Sequence, residues 1–153
     1  MDAIPSDGRS VPSTRRPADG APVQHLRSAM AAAHATILIC EDEPSLRELV
    51  KASLEGAYEF AEAEDGERAL ELARELEPDL LVLDVMMPRL DGLAVLRALR
   101  ADERLRESRV IVLTAQPMTR HDAEELGADR VLDKPFAPDD LAAAVEEVLA
   151  QRR

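Results

Sequence analysis

Short apolar runs alternate with amphipathic segments along most of this chain, and four of the runs lead directly into a polar residue. Ile37–Cys40 leads into Glu41 and Asp42, Leu80–Leu83 into Asp84, Val110–Leu113 into Thr114, and Val131–Asp133 into Lys134. Branched runs of this length between helical segments are typical of strands buried on both faces, which form parallel sheets. Ligands bind outside the carboxyl ends of such strands, so we expect these polar side chains to converge on one sheet edge.

From residue 35 onward the pattern predicts five strands and five helices in alternation, which is typical of right-handed βαβ units. The predicted strands are Thr36–Cys40, Tyr58–Ala63, Leu80–Leu83, Val110–Leu113 and Arg130–Leu132. The predicted helices begin at Pro44, after an Asp65 cap, at Gly92 after an Asp91 cap, near Arg120, and at Pro138.

The first two elements carry more detailed predictions. The first helix is expected to end at Gly56 and to bury one face, formed by Leu46, Leu49, Val50, Ser53 and Leu54. The second strand places Glu59 and Glu62 among apolar residues, as expected of a strand at the edge of the sheet.

Residues 1–34 differ in composition from the rest of the chain. They are rich in Pro, Ser, Gly, Ala and Arg and show no helical or strand period. Such a composition predicts a disordered leader, for which an inert tail is favoured over a binding role. Residues 35–153 are then expected to form one domain.

The net charge bears on partners and location. The chain has 31 acidic and 19 basic residues, a formal net charge of −12. Nucleic-acid affinity comes largely from Lys and Arg neutralising phosphates, so we predict no direct nucleic-acid contact.

The single cysteine, Cys40, lies in a predicted buried strand and is expected to be a small core residue in a reducing compartment. No apolar run approaches the length of a membrane span, so we predict a cytoplasmic protein without membrane insertion.

Three carboxylates, a hydroxyl and an ammonium at one edge suit a divalent cation and a phosphoryl group. Two carboxylates 4 Å apart repel by roughly 1 kcal/mol in water and about 4 kcal/mol at an effective dielectric constant of 20. Mg²⁺ relieves such repulsion and usually takes one or two carboxylates together with phosphate and water. Lys134 is one of only two lysines among the 19 basic residues, which favours a required compact ammonium over a solvated loop lysine. Asp42 could also cap the first helix, a role compatible with metal binding.

Four segments carry a family resemblance: ILICEDEP from residue 37, LLVLDVMMPRLDG from 80, VLTA from 112 and GADRVLDKPF from 127. In this order they resemble the receiver domain of bacterial two-component response regulators, of the chemotaxis-type, stand-alone kind. The resemblance covers about residues 35–151. It implies a flavodoxin-like, doubly wound α/β fold with a five-stranded parallel sheet of order 2-1-3-4-5 flanked by five helices.

The resemblance also implies roles for individual residues. Asp84 would accept the phosphoryl group, Thr114 would hydrogen-bond that group, and Lys134 would pair with it. The implied cofactor is Mg²⁺, with Asp42, Asp84 and the backbone carbonyl of Met86 as direct ligands and Glu41 acting through water. The Lys134–Pro135 bond resembles the cis peptide of the family.

The function implied is a single-domain receiver phosphorylated on Asp84 by a sensor histidine kinase or a histidine phosphotransfer protein. It would signal through a downstream protein partner and would catalyse only its own Mg²⁺-dependent phosphorylation and dephosphorylation. The resemblance places Leu46 and Phe136 on the kinase-facing side. A phosphorelay carrier and a non-phosphorylated binding module remain alternatives. A phosphatase is disfavoured, because such enzymes place a second acid where Met86 stands.

Two departures from the family pattern concern the output of the signal. Val131 occupies a position that often holds an aromatic residue, and the stretch from Thr114 to Gly127 is slightly short. Both changes predict that phosphorylation chemistry is retained while the reading of the signal differs.

Overall fold

The computed structural model describes residues 35–54, 56 and 58–151, and the predicted leader lies outside the described residues. Strands and helices alternate throughout the described part. In chain order they are β1 (Thr36–Cys40), α1 (Pro44–Ser53), β2 (Glu59–Ala63), α2 (Gly66–Leu76), β3 (Leu80–Asp84), α3 (Gly92–Ala101), β4 (Arg109–Thr114), α4 (Pro117–Glu125), β5 (Arg130–Asp133) and α5 (Pro138–Ala150).

The five strands form one parallel sheet of order β2-β1-β3-β4-β5, which confirms the predicted topology. Successive side chains of a strand point to opposite faces, so each inner strand contributes to two cores. Leu81 and Leu83 of β3 pack with α2, α3 and α4, whereas Leu80 and Val82 pack with α1 and α5. Burial on both faces explains why β3 reads as an unbroken apolar run that ends in Asp84.

β2 lies at the sheet edge, as its acidic residues predicted, and pairs with β1. Glu62 forms ion pairs with Arg47 and with Lys51, both on α1. The strand begins at Glu59, one residue later than predicted.

Most helix starts follow the predicted signals. The side chains of Asp65 and Asp91 accept hydrogen bonds from the backbone N–H groups of Arg68 and Ala94, and so cap α2 and α3. The predicted start of α4 near residue 120 is wrong, because the helix begins at Pro117. Proline suits the first helical turn, where its missing N–H would have had no partner within the helix.

Two predictions for α1 are also wrong. The helix ends at Ser53 rather than at Gly56, because the Leu54 N–H turns back to the Lys51 carbonyl and tightens the last turn. Leu49 is 40% exposed instead of buried. At 3.6 residues per turn it lies about 100° around the helix from the buried Val50, at the margin of the packed face.

Cys40 is fully buried within β1, and burial raises the pKa of its thiol. This placement agrees with its predicted role as a core residue. Within the described residues, no helix combines the length and the apolar character needed to cross a bilayer.

Candidate functional site

The carboxyl ends of β1, β3 and β5 bring four charged side chains together. Glu41 and Asp42 follow β1, Asp84 ends β3, and one carboxylate oxygen from each lies within 4.8 Å of the others. The Lys134 Nζ lies 2.7 Å from Asp84 Oδ1 and 3.8 Å from Glu41 Oε1. The structure therefore brings together four of the five polar side chains predicted to converge, an ammonium beside three acids.

The site has a buried floor and an open rim. Glu41 and Asp84 are each 2% exposed, whereas Asp42 is exposed to solvent. The Lys134 side chain is about one quarter exposed.

Burial controls the charge of Glu41. Its pKa is raised to about 7, chiefly by desolvation and also by the nearby charge of Asp84, against the lowering effect of the Glu43 N–H and of Lys134. The Glu43 N–H donates to Glu41 Oε2 at 3.1 Å. Oε1 is buried and accepts no hydrogen bond from the described residues. The cluster therefore holds an acceptor oxygen whose hydrogen-bonding capacity is unused.

Asp84 and Lys134 form the central ion pair. Burial raises the pKa of Asp84, while the hydrogen bond from Lys134 and the backbone N–H of Met86 oppose the rise. Burial lowers the pKa of Lys134, but its hydrogen bond to Asp84 and the charges of Asp84 and Glu41 outweigh that effect, so the net direction is upward. The lysine is accordingly held as an ammonium at the floor of the site.

The donor set fits a hard divalent cation. Three carboxylates within reach of one point supply the oxygen ligands that Mg²⁺ prefers. A cation would also lie near Glu41 Oε1, which accepts no hydrogen bond, and would relieve the repulsion between Glu41 and Asp84. Met86, the other predicted ligand, follows Asp84 by two residues in the loop between β3 and α3.

Thr114 ends β4 and is 2% exposed. Its hydroxyl accepts a hydrogen bond from the Gln116 N–H at 3.0 Å, and its carbonyl accepts one from the Lys134 N–H at 2.8 Å. The backbone of Thr114 is thus tied to Lys134, while its hydroxyl is bound to the loop that leads into α4. The Lys134–Pro135 peptide is cis, as predicted.

Gly92 sets the distance between α3 and the end of β3. A Cβ at this position would lie 2.3 Å from the Asp84 carbonyl oxygen and 2.8 Å from the Val85 Cα, closer than real Cβ atoms approach. The Gly92 N–H donates to the Val85 carbonyl at 2.9 Å. The Asp-Gly pair at 91–92 therefore combines a helix cap with a close backbone approach beside Asp84.

Two arginines at the edges of the site were missed by sequence reasoning. The Arg47 guanidinium donates to the Glu41 carbonyl at 2.7 Å and to Glu62 at 2.8 Å, which ties the acidic segment to α1 and β2. The Arg120 guanidinium donates to the Val131 carbonyl at 3.1 Å and pairs with Asp133 at 3.2 Å. Neither contact has a signal in the sequence, since periodicity does not show which carbonyl a long side chain can reach.

A mostly apolar depression of about 340 Å³ adjoins Lys134. Its lining residues are Leu46, Leu49, Ala115, Lys134, Pro135 and Phe136. The structure thus brings together Leu46 and Phe136, the two residues that the resemblance placed on the kinase-facing side.

Comparisons with known proteins agree with this geometry. Residues 37–146 match the family model of the response regulator receiver domain. Among solved structures, the chemotaxis protein CheY4 of Vibrio cholerae is 31% identical with a TM-score of 0.70, covering 76% of this chain and 99% of that one. The signal receiver domain of a signal transduction histidine kinase from Syntrophus aciditrophicus is 35% identical with a TM-score of 0.71, covering 78% and 94%.

Curated relatives are longer than the matched region. The DNA-binding dual master transcriptional regulator RpaA of Synechocystis sp. is 40% identical over 116 residues, which cover 74% of this chain and 48% of RpaA. The DNA-binding response regulator MtrA of Mycolicibacterium smegmatis is 41% identical over 112 residues, covering 71% and 48%. The chain spans about half the length of these relatives, so the likeness concerns one domain of each.

Proposed function

This chain belongs to the response regulator receiver domain family, and on that premise we propose that Asp84 accepts a phosphoryl group from a phosphohistidine. The single observation that carries the proposal is the contact between Lys134 Nζ and Asp84 Oδ1 at 2.7 Å on the floor of the acidic cluster. A nearly buried carboxylate held by an ammonium, beside the solvent-exposed Asp42, is arranged as a nucleophile.

The proposed step exchanges one bond to phosphorus for another. A carboxylate oxygen of Asp84 attacks the phosphorus, the bond between phosphorus and the histidine nitrogen breaks, and the imidazole leaves with that electron pair. The product is an acyl phosphate on Asp84. Lys134 would balance the negative charge of the phosphoryl oxygens, and the Thr114 hydroxyl would donate a hydrogen bond to one of them.

The family typically uses Mg²⁺, and the acidic cluster of this chain fits it. We assign Asp42, Asp84 and the Met86 carbonyl as direct ligands and Glu41 as a ligand through water. When bound, the ion would neutralise charge that develops on the transferred phosphoryl group. Lys134 orients the proposed acceptor, since its Nζ donates to Asp84 Oδ1 at 2.7 Å.

Family membership implies a phosphodonor partner, which we propose is a sensor histidine kinase or a histidine phosphotransfer protein. The chain would catalyse only its own phosphorylation and dephosphorylation, and a downstream protein would read the result. A phosphorelay carrier would use the same site residues. Output through a stand-alone domain stays a prediction, because the curated relatives extend beyond the matched region.

The absence of direct nucleic-acid contact also stays a prediction. Relatives such as RpaA are DNA-binding by name, but the alignment covers about half of RpaA. We propose that residues 35–151 do not bind DNA themselves, because acidic residues outnumber basic ones there. A gel-shift titration at low salt with unrelated duplex DNA tests this, and retarded DNA would contradict it.

The test of phosphorylation is the intact mass after incubation with acetyl phosphate and Mg²⁺. Wild type should gain one phosphoryl group, and Asp84→Asn should gain none. Asp133→Asn is the matched control, because Asp133 ends the neighbouring strand β5 but pairs with Arg120 outside the cluster. If Asp84→Asn gained a phosphoryl group, or if Asp133→Asn failed to gain one, the assignment of Asp84 as the acceptor would be contradicted.

A further inference from the structure

The loop between β3 and α3, residues 85–91, rests on the N-terminus of α2. The Gly66 N–H faces the Pro88 carbonyl at 3.5 Å, and the Leu90 N–H donates to the same carbonyl at 2.7 Å. Arg89 Nε lies 3.5 Å from Asp65 Oδ2, while the other oxygen of Asp65 caps α2. The residues at the start of α2 therefore also contact and support the loop.

Gly66 makes this contact possible because it has no side chain. A Cβ here would lie 1.9 Å from the Leu90 carbonyl oxygen and 2.6 Å from the Leu90 Cβ. The φ angle of Gly66 lies outside the left-handed region, so its backbone conformation is open to any residue. The glycine is required by proximity to the loop and not by a turn.

The loop cannot move aside without disturbing the site at its other end. Gly92 fixes the start of α3 against the Asp84 carbonyl, at a separation that leaves no room for a Cβ. Met86 lies in the loop between Asp84 and Gly92, and its carbonyl is the assigned metal ligand. A displacement at Leu90 must therefore be absorbed by residues 85–89, which include this ligand.

We propose that Gly66 is a positioning residue for the metal site, acting through Leu90 and the loop to place the Met86 carbonyl. The inference rests on the proposed function, since it assumes that Mg²⁺ binds beside Asp84. Mg²⁺ demands near-ideal octahedral geometry, so a displaced carbonyl weakens binding even when the fold survives. Residues that orient metal ligands typically change affinity by about 10–100-fold.

The test is the Mg²⁺ dissociation constant of the full chain, measured by titration calorimetry with MgCl₂, beside the urea unfolding midpoint. Gly66→Ala should raise the dissociation constant by about tenfold. Gly56→Ala is the matched control: Gly56 has φ +95, and a Cβ there would meet nothing within 4 Å. That change should lower the urea unfolding midpoint through backbone strain and leave Mg²⁺ affinity unchanged.

A second variant, Arg89→Gly, tests the same proposal if Gly66→Ala does not fold. Arg89 has φ +68, a conformation that favours glycine, and its ion pair with Asp65 holds the loop. Arg89→Gly should keep or raise the unfolding midpoint and still weaken Mg²⁺ binding several-fold. If wild type binds no Mg²⁺, the proposed function fails. If wild type binds Mg²⁺ and both Gly66→Ala and Arg89→Gly bind it with the same affinity, the positioning role is overturned. It is also overturned if Gly56→Ala loses as much Mg²⁺ affinity as Gly66→Ala.

Discussion

The ion pair between Lys134 and Asp84 gives the sharpest prediction about stability. Lys134→Met removes the ammonium and keeps a side chain of similar length, while Asp84→Asn removes the opposite charge and keeps the shape. We expect Lys134→Met alone to destabilise the metal-free protein, because Asp84 and Glu41 are each 2% exposed and would lose their cation. In the Asp84→Asn background the same change should cost much less.

The magnitude follows from geometry and exposure. At 2.7 Å and an effective dielectric constant of 20, the Coulomb attraction is about 6 kcal/mol before desolvation is counted. Removing one partner of a fully buried pair costs roughly 3–5 kcal/mol, whereas an exposed pair contributes about 0–1 kcal/mol. The Lys134 side chain is 24% exposed and Asp84 is not, so we expect a coupling energy of about 2–3 kcal/mol between these limits.

The assay is a double-mutant cycle from urea unfolding of four proteins in the presence of a chelator: wild type, Lys134→Met, Asp84→Asn and the double variant. Arg120→Met provides a control, since its pair with Asp133 is largely exposed and should show coupling of about 0–1 kcal/mol in its own cycle. A coupling energy for Lys134 and Asp84 within about 0.5 kcal/mol of zero would refute the reasoning.

Four shorter predictions concern pH, capping and packing. Below the Glu41 pKa of about 7, Mg²⁺ must displace a proton, so Mg²⁺ affinity should fall up to tenfold for each pH unit of acidification and stay level above that pH. Calorimetry from about pH 6 to pH 8 measures this slope, which Glu41→Gln should abolish. In the metal-free protein the same raised pKa acts in the opposite sense, and stability should decline as pH rises from about 4.5 to about 7, which urea midpoints check. Asp91→Ala should lower the unfolding free energy by about 1 kcal/mol because α3 loses its cap, and Asp91→Asn should lower it by far less. Gly92→Ala should cost about 3 kcal/mol by urea unfolding, since its Cβ would lie 2.3 Å from the Asp84 carbonyl oxygen; a loss below about 1 kcal/mol would contradict the close approach.

Much of the site was visible in the sequence because a parallel sheet converts chain position into spatial position. Every strand of such a sheet points the same way, so a residue that follows one strand lies near residues that follow its neighbours. Glu41, Asp84 and Lys134 were found from this rule together with the apolar runs before them. The Asp65 and Asp91 caps were equally local, because a cap bonds an N–H three residues along the chain.

Other features depended on which elements face each other across the fold. The exposure of Leu49 reflects how α1 is rotated on the sheet, and the bond from Arg120 to the Val131 carbonyl reflects how α4 lies beside β5. The need for glycine at 66 arises from Leu90, a residue on a separate loop. Local pattern determines which elements form and what ends them, because those interactions span a few residues. Rotation, reach and close approach were decided only by tertiary packing, because they depend on atoms that are distant in sequence and have no counterpart in any local period.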